Sequence, residues 1–498
     1  MSNNSEAALA NRLKWWILLT VIVGTFLGRL DQTIVNLALP KIIDDFSITV
    51  SSAGWIATAY IIANAIFVPI WGKLGDTIGR KKVYILGFTI FIIGSVLAGL
   101  AWNLSSMIVF RIIQAIAGSA DYPTAMAILA VTFKHGKERA QALGIWSSSF
   151  AAASVFGPLI GGPLIDNFGW RSVFLVNLPV GLIGLAMAYG FIHESRSLAK
   201  SNFFDWWGAA TLGGMLSALV LVLDQGFDWG WLSSWSLLCY AIIVVLTIAF
   251  IKIEQRVPEP IVDLKFFKIP AFVNTLINNF VVFMGMMGGL FLIPIFAQTF
   301  LGYNATQSGY LFIPMAAALM LAAPLGPMLI GKFETRYIIF ASTLVAGIGL
   351  FMFSYLDPRS TAWDITIPLS IMAFGLGFGM AQRTNVIASV VDQHEIGIAS
   401  SVLALARNIA GAFGIAIFGT ILNNRILSNV LTINKNSVLN AHDAISVKTY
   451  IGLVTLKAQI EAYNYVFLVA SLFVFAGSIA VLFLKIKHER TDVKVMVE

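Results

Sequence analysis

Residues 15–40 read WWILLTVIVGTFLGRLDQTIVNLALP, and this stretch decides the fold. It begins as an apolar membrane helix but carries Arg29 and Asp31. At a rise of about 1.5 Å per residue, Asp31 lies roughly 25 Å along the helix from Lys14, within a hydrocarbon layer of about 30 Å. A charge near the centre of a membrane helix costs about 2.5–3.5 kcal/mol and normally faces a partner or a wet cavity. Because residues two apart point in nearly opposite directions, Arg29 cannot pair with Asp31 within the helix. We therefore expect this helix to lie inside a bundle.

The composition also indicates an integral membrane protein. Hydrophobic residues make up 58% of the 498 residues and charged residues only 11%, against about 25% charged residues in soluble domains. The formal net charge of +7 does not indicate nucleic-acid binding, because the basic residues are scattered between apolar runs. The single cysteine, Cys239, excludes a disulfide within the chain and a cysteine-based metal cluster. We therefore expect an all-α polytopic membrane protein.

Apolar runs of about 20 residues, cut at charged or turn-rich stretches, predict fourteen spans. They are 15–37, 54–72, 83–101, 105–131, 141–165, 172–192, 206–223, 235–251, 271–298, 307–331, 337–356, 365–391, 397–423 and 464–485. With the N-terminus inside, the tails and inner loops hold 21 of the 32 lysines and arginines. The bias of basic residues towards inner loops therefore predicts that both termini are cytoplasmic.

A weak internal repeat suggests two related halves, as in many transporters. A shift of 257 residues places Gly157 and Gly162 onto Gly414 and Gly419. We therefore predict three parts. Residues 1–192 form an N-terminal six-helix bundle and 193–269 a two-helix insert with cytoplasmic linkers. Residues 270–498 form a C-terminal six-helix bundle with an external loop at 424–463 and a cytoplasmic tail.

The segment after the second span, GKLGDTIGRKK at residues 72–82, has the most specific pattern in the chain. Its glycines favour a tight turn between two spans. Asp76 is suited to accept hydrogen bonds from helix-end amides, and the basic residues at 80–82 suit an anionic inner membrane surface. An ordinary basic inner loop is the alternative, but it does not require the fixed spacing of Asp76, Gly79 and Arg80.

Taken together, these motifs resemble the major facilitator superfamily, in particular its fourteen-span drug:proton antiporter branch, over nearly the whole chain. Residues 30–40 are similar to the helix 1 signature, 72–82 to the loop 2–3 signature, and 111–118 to the helix 4 signature. The residues that resemble the helix 5 antiporter signature are Gly157, Pro158, Gly161 and Gly162. Thr77 and Ala115 depart from the pattern, because a basic residue and a glycine are more frequent there. The resemblance implies a fold of two six-helix bundles plus two inserted helices.

The resemblance also implies a role in proton coupling for the helix 1 acid and the helix 4 arginine, here Asp31 and Arg111. A nearby guanidinium favours the charged carboxylate and burial favours the neutral acid. A movement that changes either influence would therefore load or release a proton. A static buried ion pair that joins two helices is the alternative.

Two further motifs carry family roles. The loop signature, which implies a role in conformational change, comprises Gly72, Asp76, Gly79, Arg80 and Lys81. The helix 5 signature is associated in the family with export and with sealing one conformation. Plain packing of small residues between helices is the alternative for helix 5.

Candidates for the substrate cavity are polar residues deep within the spans, together with one methionine that offers an adaptable apolar wall. They are Arg29, Asn36, Trp55, Tyr60, Gln114, Asp121, Met284, Arg383, Arg407 and Asn408. An interfacial belt position is the alternative for Trp55, and gap-filling is the alternative for Met284. The spans hold four arginines and two carboxylates, so a zwitterionic, neutral or weakly acidic compound fits at least as well as a cation.

We therefore expect a proton-coupled antiporter that exports small amphipathic organic compounds, such as drugs, antibiotics or related metabolites, by alternating access. The alternative is a facilitator or transporter of a specific metabolite, weak acid or lipid. We expect neither an enzyme nor a cofactor or metal. The sequence lacks the G-x-x-x-x-G-K-[ST] nucleotide-binding motif, so it gives no support for transport driven directly by ATP.

The expected partners are a small-molecule substrate, protons and the lipid bilayer, without nucleic acid. We expect a monomer in the plasma (inner) membrane. In a two-membrane cell the resemblance allows a periplasmic adaptor.

Overall fold

The computed structural model describes residues 2–133, 137–195, 205–258, 260–329, 332–391, 396–436 and 444–483. Within them the chain forms seventeen α-helices. They are Ser2–Phe46 (α1), Val50–Ile78 (α2), Arg80–Gly99 (α3), Leu104–Gly118 (α4), Asp121–Thr132 (α5), Lys137–Phe168 (α6), Ser172–Leu175 (α7), Asn177–Phe191 (α8), Trp206–Trp229 (α9), Ser234–Glu254 (α10), Pro270–Phe300 (α11), Ala305–Tyr310 (α12), Phe312–Leu325 (α13), Thr335–Met352 (α14), Ala362–Ser389 (α15), Ile396–Asn436 (α16) and Ala444–Val481 (α17).

The predicted all-α polytopic architecture is confirmed. Among the described residues, thirteen helical segments are long and apolar enough to cross a membrane. The fifth predicted span, 141–165, lies within the 32-residue helix α6, which is not one of those thirteen. The fourth, sixth and tenth predicted spans each consist of two helices in succession, namely α4 and α5, α7 and α8, and α12 and α13.

Two predicted loops are largely helical. Within residues 424–463, predicted as an external loop, α16 continues to Asn436 and α17 already begins at Ala444. Polar and charged residues end the apolar run near residue 423, but a helix can continue beyond the end of an apolar run. Similarly, α2 extends through most of the predicted 72–82 turn, and the chain changes direction only at Gly79, between α2 and α3.

The two halves repeat the same helix packing. In the first half α1 packs on α6 and α3 on α4, and in the second half α11 packs on α16 and α14 on α15. Helix α9 packs against α2 and α16, one helix from each half, while α10 packs mainly on α9. The domain boundaries at residues 192 and 269 remain a prediction.

Contacts between the bundles occur at the helix ends predicted to lie outside. The Gln298 side chain donates to the backbone oxygen of Leu37 at 3.1 Å. A Cβ atom on Gly309 would lie 2.6 Å from the backbone oxygen of Pro158, so only glycine allows α12 to approach α6 this closely. The bundles are therefore closed against each other at this end.

A carboxylate also joins the bundles there. Asp166 on α6 accepts hydrogen bonds from the backbone nitrogens of Ala305, at 3.1 Å, and Thr306, at 2.9 Å, and from the Thr306 hydroxyl at 2.6 Å. These amides belong to the first turn of α12, where the helix provides no acceptor for them. Asp166 thus caps a helix of the opposite bundle.

We predict that Asp166→Ala loosens the closed outer ends. Losing a capping carboxylate costs about 1 kcal/mol, which corresponds to a shift of about fivefold in the equilibrium. Double electron–electron resonance between spin labels on Asp44→Cys and Arg359→Cys, in a Cys239→Ser background, should show a larger share of long distances.

Asn167→Ala is the matched control, because the neighbouring Asn167 amide donates to Pro163 of its own helix. An Asp166→Ala distance distribution identical to that of the control would contradict the prediction.

Candidate functional site

Asp31 is fully buried in the N-terminal bundle and accepts three hydrogen bonds. Its Oδ2 lies 2.6 Å from Nη1 of Arg111, and its Oδ1 lies 3.0 Å from Nε2 of Gln114 and 3.0 Å from Nδ2 of Asn177. The donors come from α4 and α8, so one carboxylate on α1 connects three helices. The predicted pairing of Asp31 with Arg111 is therefore present in the structure.

Arg111 is enclosed on its other sides. Its Nη1 also donates to Oε1 of Gln114 at 2.6 Å, and its guanidinium lies 4.1 Å from the centre of the Tyr60 ring. A cation over an aromatic face is stabilised by the ring quadrupole, more strongly when it is desolvated. Tyr60 and Gln114, both predicted for the substrate cavity, thus contact the arginine of the ion pair.

Local sequence explains how these helices present their polar groups. Asn103 and Ser106 form a capping box that begins α4, which places Arg111 two turns into the helix. The chain breaks between α7 and α8 at Val176, and Asn177 follows the break. The Asn177 amide donates to the Ser95 hydroxyl at 2.8 Å, and Ser95 in turn donates to the backbone oxygen of Phe174 at 2.8 Å.

Sequence reasoning did not assign Ser95 or Asn177 to the site. Single hydroxyl and amide side chains are frequent in membrane helices, so they carry little signal on their own. Asn177 lies six residues after Arg171, near the start of the sixth predicted span. That position was the available clue.

A second buried polar cluster occupies the equivalent helices of the C-terminal bundle. Arg383 on α15 is fully buried, and its Nε donates to Oδ1 of Asn278 on α11 at 2.8 Å. Its Nη2 donates to the hydroxyls of Thr343 at 2.8 Å and Ser342 at 3.1 Å, both on α14. The acceptor on α11 is thus an asparagine rather than a carboxylate, and this cluster lies nearer the opposite helix ends than the Asp31 cluster does.

Arg407, on α16, is half-buried close to this cluster. Its Nε donates to Oδ1 of Asn279 at 3.3 Å, and its Nη2 donates to the hydroxyl of Thr384 at 3.4 Å. Its guanidinium lies 5.1 Å from the centre of the Phe283 ring. Asn408, the next residue, is also half-buried. The arginines predicted in spans 12 and 13 therefore belong to one region.

The remaining cavity candidates are more dispersed. Arg29 is half-buried, and its Nη1 donates to Oε1 of Gln32 at 3.2 Å, while Asn36 is half-buried further along α1. Asp121, at the start of α5, lies beside Thr25 of α1.

Trp55 and Met284 belong to hydrophobic clusters. Trp55 is half-buried against apolar residues of α9 and α16, and Met284 is buried in the large core shared by the bundles. A Cβ atom on Gly414 would contact the backbone oxygen of Met284, so α11 and α16 pack tightly at this point. Both residues therefore contribute to hydrophobic packing, and their place in the substrate cavity stays a prediction.

The turn between α2 and α3 is held by a residue that the sequence analysis did not single out. Gly79 has a φ of +119°, which favours glycine. The carboxylate of Glu194 accepts hydrogen bonds from the backbone nitrogens of Lys81 at 3.1 Å and Lys82 at 3.3 Å. Glu194 thus caps α3, the role expected for Asp76, whose side chain lies outside the described residues.

Three other residues of the loop signature are described. The backbone nitrogen of Arg80 donates to the backbone oxygen of Ser195 at 3.0 Å, and the Lys81 ammonium donates to that of Tyr189 at 2.8 Å. Gly72 is half-buried, and a Cβ atom there would lie 3.4 Å from Pro123. The turn is therefore tied to the end of α8 and its following residues.

The small residues of α6 face two different neighbours. Gly157 and Gly161 pack on α1 of the same bundle, where added Cβ atoms would meet Thr33 and Ile34. Gly162 faces the other bundle, because its Cβ would lie 2.8 Å from the backbone nitrogen of Thr306. Pro158 also faces α12, through its carbonyl. The predicted close approach of helices is present, within and between the bundles.

Two helical bundles with related packing, each with charged residues buried at membrane depth, define a polytopic membrane transporter. The sequence matches the Major Facilitator Superfamily family model over residues 21–415. The chain therefore belongs to the Major Facilitator Superfamily.

Two similar proteins are named as a transporter and an export protein. The multidrug transporter protein MdtP of Bacillus subtilis (strain 168) is 33% identical over 414 residues, which cover 83% of this chain and 76% of MdtP. The tetracenomycin C resistance and export protein of Streptomyces glaucescens is 30% identical over 413 residues, which cover 83% of this chain and 76% of that protein.

A solved structure has the same fold. A bacterial homologue of the human lysosomal transporter Spinster, in an inward-facing and unoccupied conformation, matches with a TM-score of 0.70. It is 17% identical, and the match covers 95% of this chain and 99% of the other. This likeness concerns the fold alone.

We predict that Arg111→Ala strongly destabilises the protein. Removing one partner of a buried ion pair leaves an uncompensated charge and costs about 3–5 kcal/mol. The thermal unfolding midpoint of the purified protein in detergent should fall well below that of wild type. The double variant Asp31→Asn/Arg111→Ala should recover part of the loss, because the unpaired carboxylate is gone.

Glu138→Gln is the control, since its ion pair with Lys14 has side chains that are 28% and 37% exposed and contributes little. The prediction is wrong if Arg111→Ala lowers the midpoint no more than Glu138→Gln does.

Proposed function

We propose that this transporter is a proton-coupled exporter of small amphipathic organic compounds and works by alternating access. The observation that carries the proposal is the fully buried Asp31 carboxylate, which is hydrogen-bonded to donors from two other helices. A buried acid with a guanidinium partner is a suitable proton carrier, because its protonation removes the charge on which the ion pair depends.

The geometry supports a coupling of protonation to conformation. Asp31 lies on α1, and its ion-pair partner lies on α4. On protonation, Asp31 would hold Arg111 less tightly, and the contact between these helices would weaken. Helix α1 also contacts α11 and α12 of the opposite bundle. A change in its position would therefore reach the interface between the bundles.

The names of the relatives support the substrate class. MdtP is called a multidrug transporter, and the Streptomyces protein is called a tetracenomycin C resistance and export protein. We accordingly propose export of drugs, antibiotics or related metabolites. The proton gradient would supply the energy, without a bound cofactor.

We further propose a monomer in the plasma (inner) membrane with both termini cytoplasmic. In that orientation the bundles are closed towards the outside, and the substrate would enter from the cytoplasmic side. The partners would be the substrate, protons and the bilayer, with a periplasmic adaptor only in a two-membrane cell.

We predict that Asp31→Asn abolishes proton-driven transport, because an amide cannot release a proton. The amide keeps the shape of the side chain and an acceptor oxygen for Arg111, so the protein should still fold and insert, with a lower unfolding midpoint because the Arg111 charge loses its partner. Proteoliposomes with an imposed pH gradient, loaded with the zwitterionic amphipathic dye rhodamine B, measure the effect. Wild type should move the dye faster when the gradient is present, and Asp31→Asn should show the same rate with and without it.

Asp224→Asn is the control, since residue 224 lies near the predicted outer end of α9, away from the ion pair, and should retain most transport. Normal proton-driven transport by Asp31→Asn would remove the coupling role. Dye movement by wild type that survives collapse of the gradient would instead indicate a facilitator.

A further inference from the structure

Among the described residues, the buried arginines of the C-terminal bundle have no carboxylate partner. In the N-terminal bundle Arg111 pairs with Asp31 at 2.6 Å. The partners of Arg383 are an asparagine, a serine and a threonine, all uncharged. Within the described part of the chain, Arg407 also bonds only to neutral side chains, Asn279 and Thr384. Buried charges are normally paired, so this region has a missing counter-charge.

The two arginines are linked through adjacent residues on the same two helices. Arg383 contacts Asn278 of α11, and Arg407 contacts the next residue, Asn279. Arg407 also contacts Thr384, the residue after Arg383 on α15. These neighbouring contacts bring the two guanidinium groups into one positively charged region of the C-terminal bundle.

Unused hydrogen-bond donors remain at this site. The Nη1 group of Arg383 and the Nδ2 group of Asn279 are buried and have no hydrogen-bond partner in the described residues. Both side chains are fully buried. Buried donors are rarely left unpaired unless a ligand, an ion or water satisfies them.

Gly379 allows the Arg383 guanidinium and Ser342 to pack closely against α15. A Cβ atom on Gly379 would lie 2.8 Å from Nη1 of Arg383 and would also collide with Ser342. A larger residue at this position would therefore displace the unpaired guanidinium nitrogen.

The position along the helices suits a ligand that arrives from inside. Arg383 is six residues from the end of α15 at Ser389, and Asn278 is eight residues from the start of α11 at Pro270. Both distances correspond to about 10 Å from the ends predicted to face the cytoplasm. The half-buried Arg407 lies deeper along α16 and faces Phe283, an aromatic surface.

We propose that Arg383 and Arg407 form an anion-binding subsite that accepts the carboxylate or phenolate group of an amphipathic aromatic compound. This inference rests on the proposed function for its role in transport, but binding itself requires no gradient. The planar guanidinium binds carboxylates through two parallel hydrogen bonds, and the neighbouring phenylalanine supplies a face for an aromatic ring. A halide ion is the alternative ligand, because it carries the same negative charge.

The test is equilibrium binding to the purified full-length protein in nanodiscs, in HEPES buffer without added halide. The probes are benzoate, salicylate, the neutral salicylamide, and chloride, followed by thermal unfolding and isothermal titration calorimetry. We expect benzoate or salicylate to bind and raise the unfolding midpoint, and salicylamide to bind at least tenfold more weakly. Binding of chloride that competes with salicylate would support the subsite and identify a halide as an occupant.

Three variants assign the site. Arg407→Gln should weaken anion binding at least tenfold. Arg383→Lys keeps the positive charge but loses the planar guanidinium, so it should weaken anion binding less than Arg383→Met does. Arg359→Gln removes an exposed arginine elsewhere and should bind as wild type. Because Arg383→Met changes a fully buried side chain and its packing, the proposal is decided by Arg407→Gln and by the wild-type comparison of salicylate with salicylamide.

Asp31→Asn separates this inference from the proposed function, because it should lose proton-driven transport and keep anion binding. If wild type binds none of the three anions, or if Arg407→Gln and Arg383→Lys both bind them as wild type does, the subsite is overturned. If anions bind normally and no dye is exported, the proposed function fails while the subsite stands.

Discussion

A charge buried among membrane helices must be compensated, and the arrangement of the N-terminal bundle depends on how this is done for Asp31. The carboxylate receives hydrogen bonds from Arg111, Gln114 and Asn177. These donors lie on two other helices, so the rotation of each helix about its axis is fixed by the need to present its polar group. Because the pair is isolated from water, its strength is sensitive to small displacements. That sensitivity is useful in a protein that must change conformation.

The two halves of the chain have related helix packing but different buried polar groups. Asp31 and Arg111 lie on the first and fourth spans of one half, and Asn278 and Arg383 lie on the first and fourth spans of the other. In the second half the arginine is hydrogen-bonded to an amide oxygen instead of a carboxylate, and its charge has no ionic partner among the described residues. The halves therefore share an architecture and differ in electrostatics.

The sequence predicted the architecture and the central pair because both depend on strong local signals. Apolar runs of membrane length locate the spans, and Asp31 and Arg111 stand out because charges within such runs are rare. Ser95, Asn177 and Glu194 were not predicted, since their importance depends on which face of a helix meets a neighbour. Sequence identified the small residues of α6, but only the structure separates Gly157, which faces its own bundle, from Gly162, which faces the other. Hydropathy likewise marked where the apolar run ends, but not that α16 continues to Asn436.

The position of α9 has a consequence for the surrounding lipid. This helix packs against α2 of one bundle and α16 of the other, through apolar residues such as Leu212 and Leu216. A seam between two bodies that move within a bilayer would admit acyl chains whenever it widened. Helix α9 lies along one side of this seam and contacts both neighbours through apolar residues, which have no directional bonds to break if the helices slide. The seam on that side is therefore covered by protein instead of lipid.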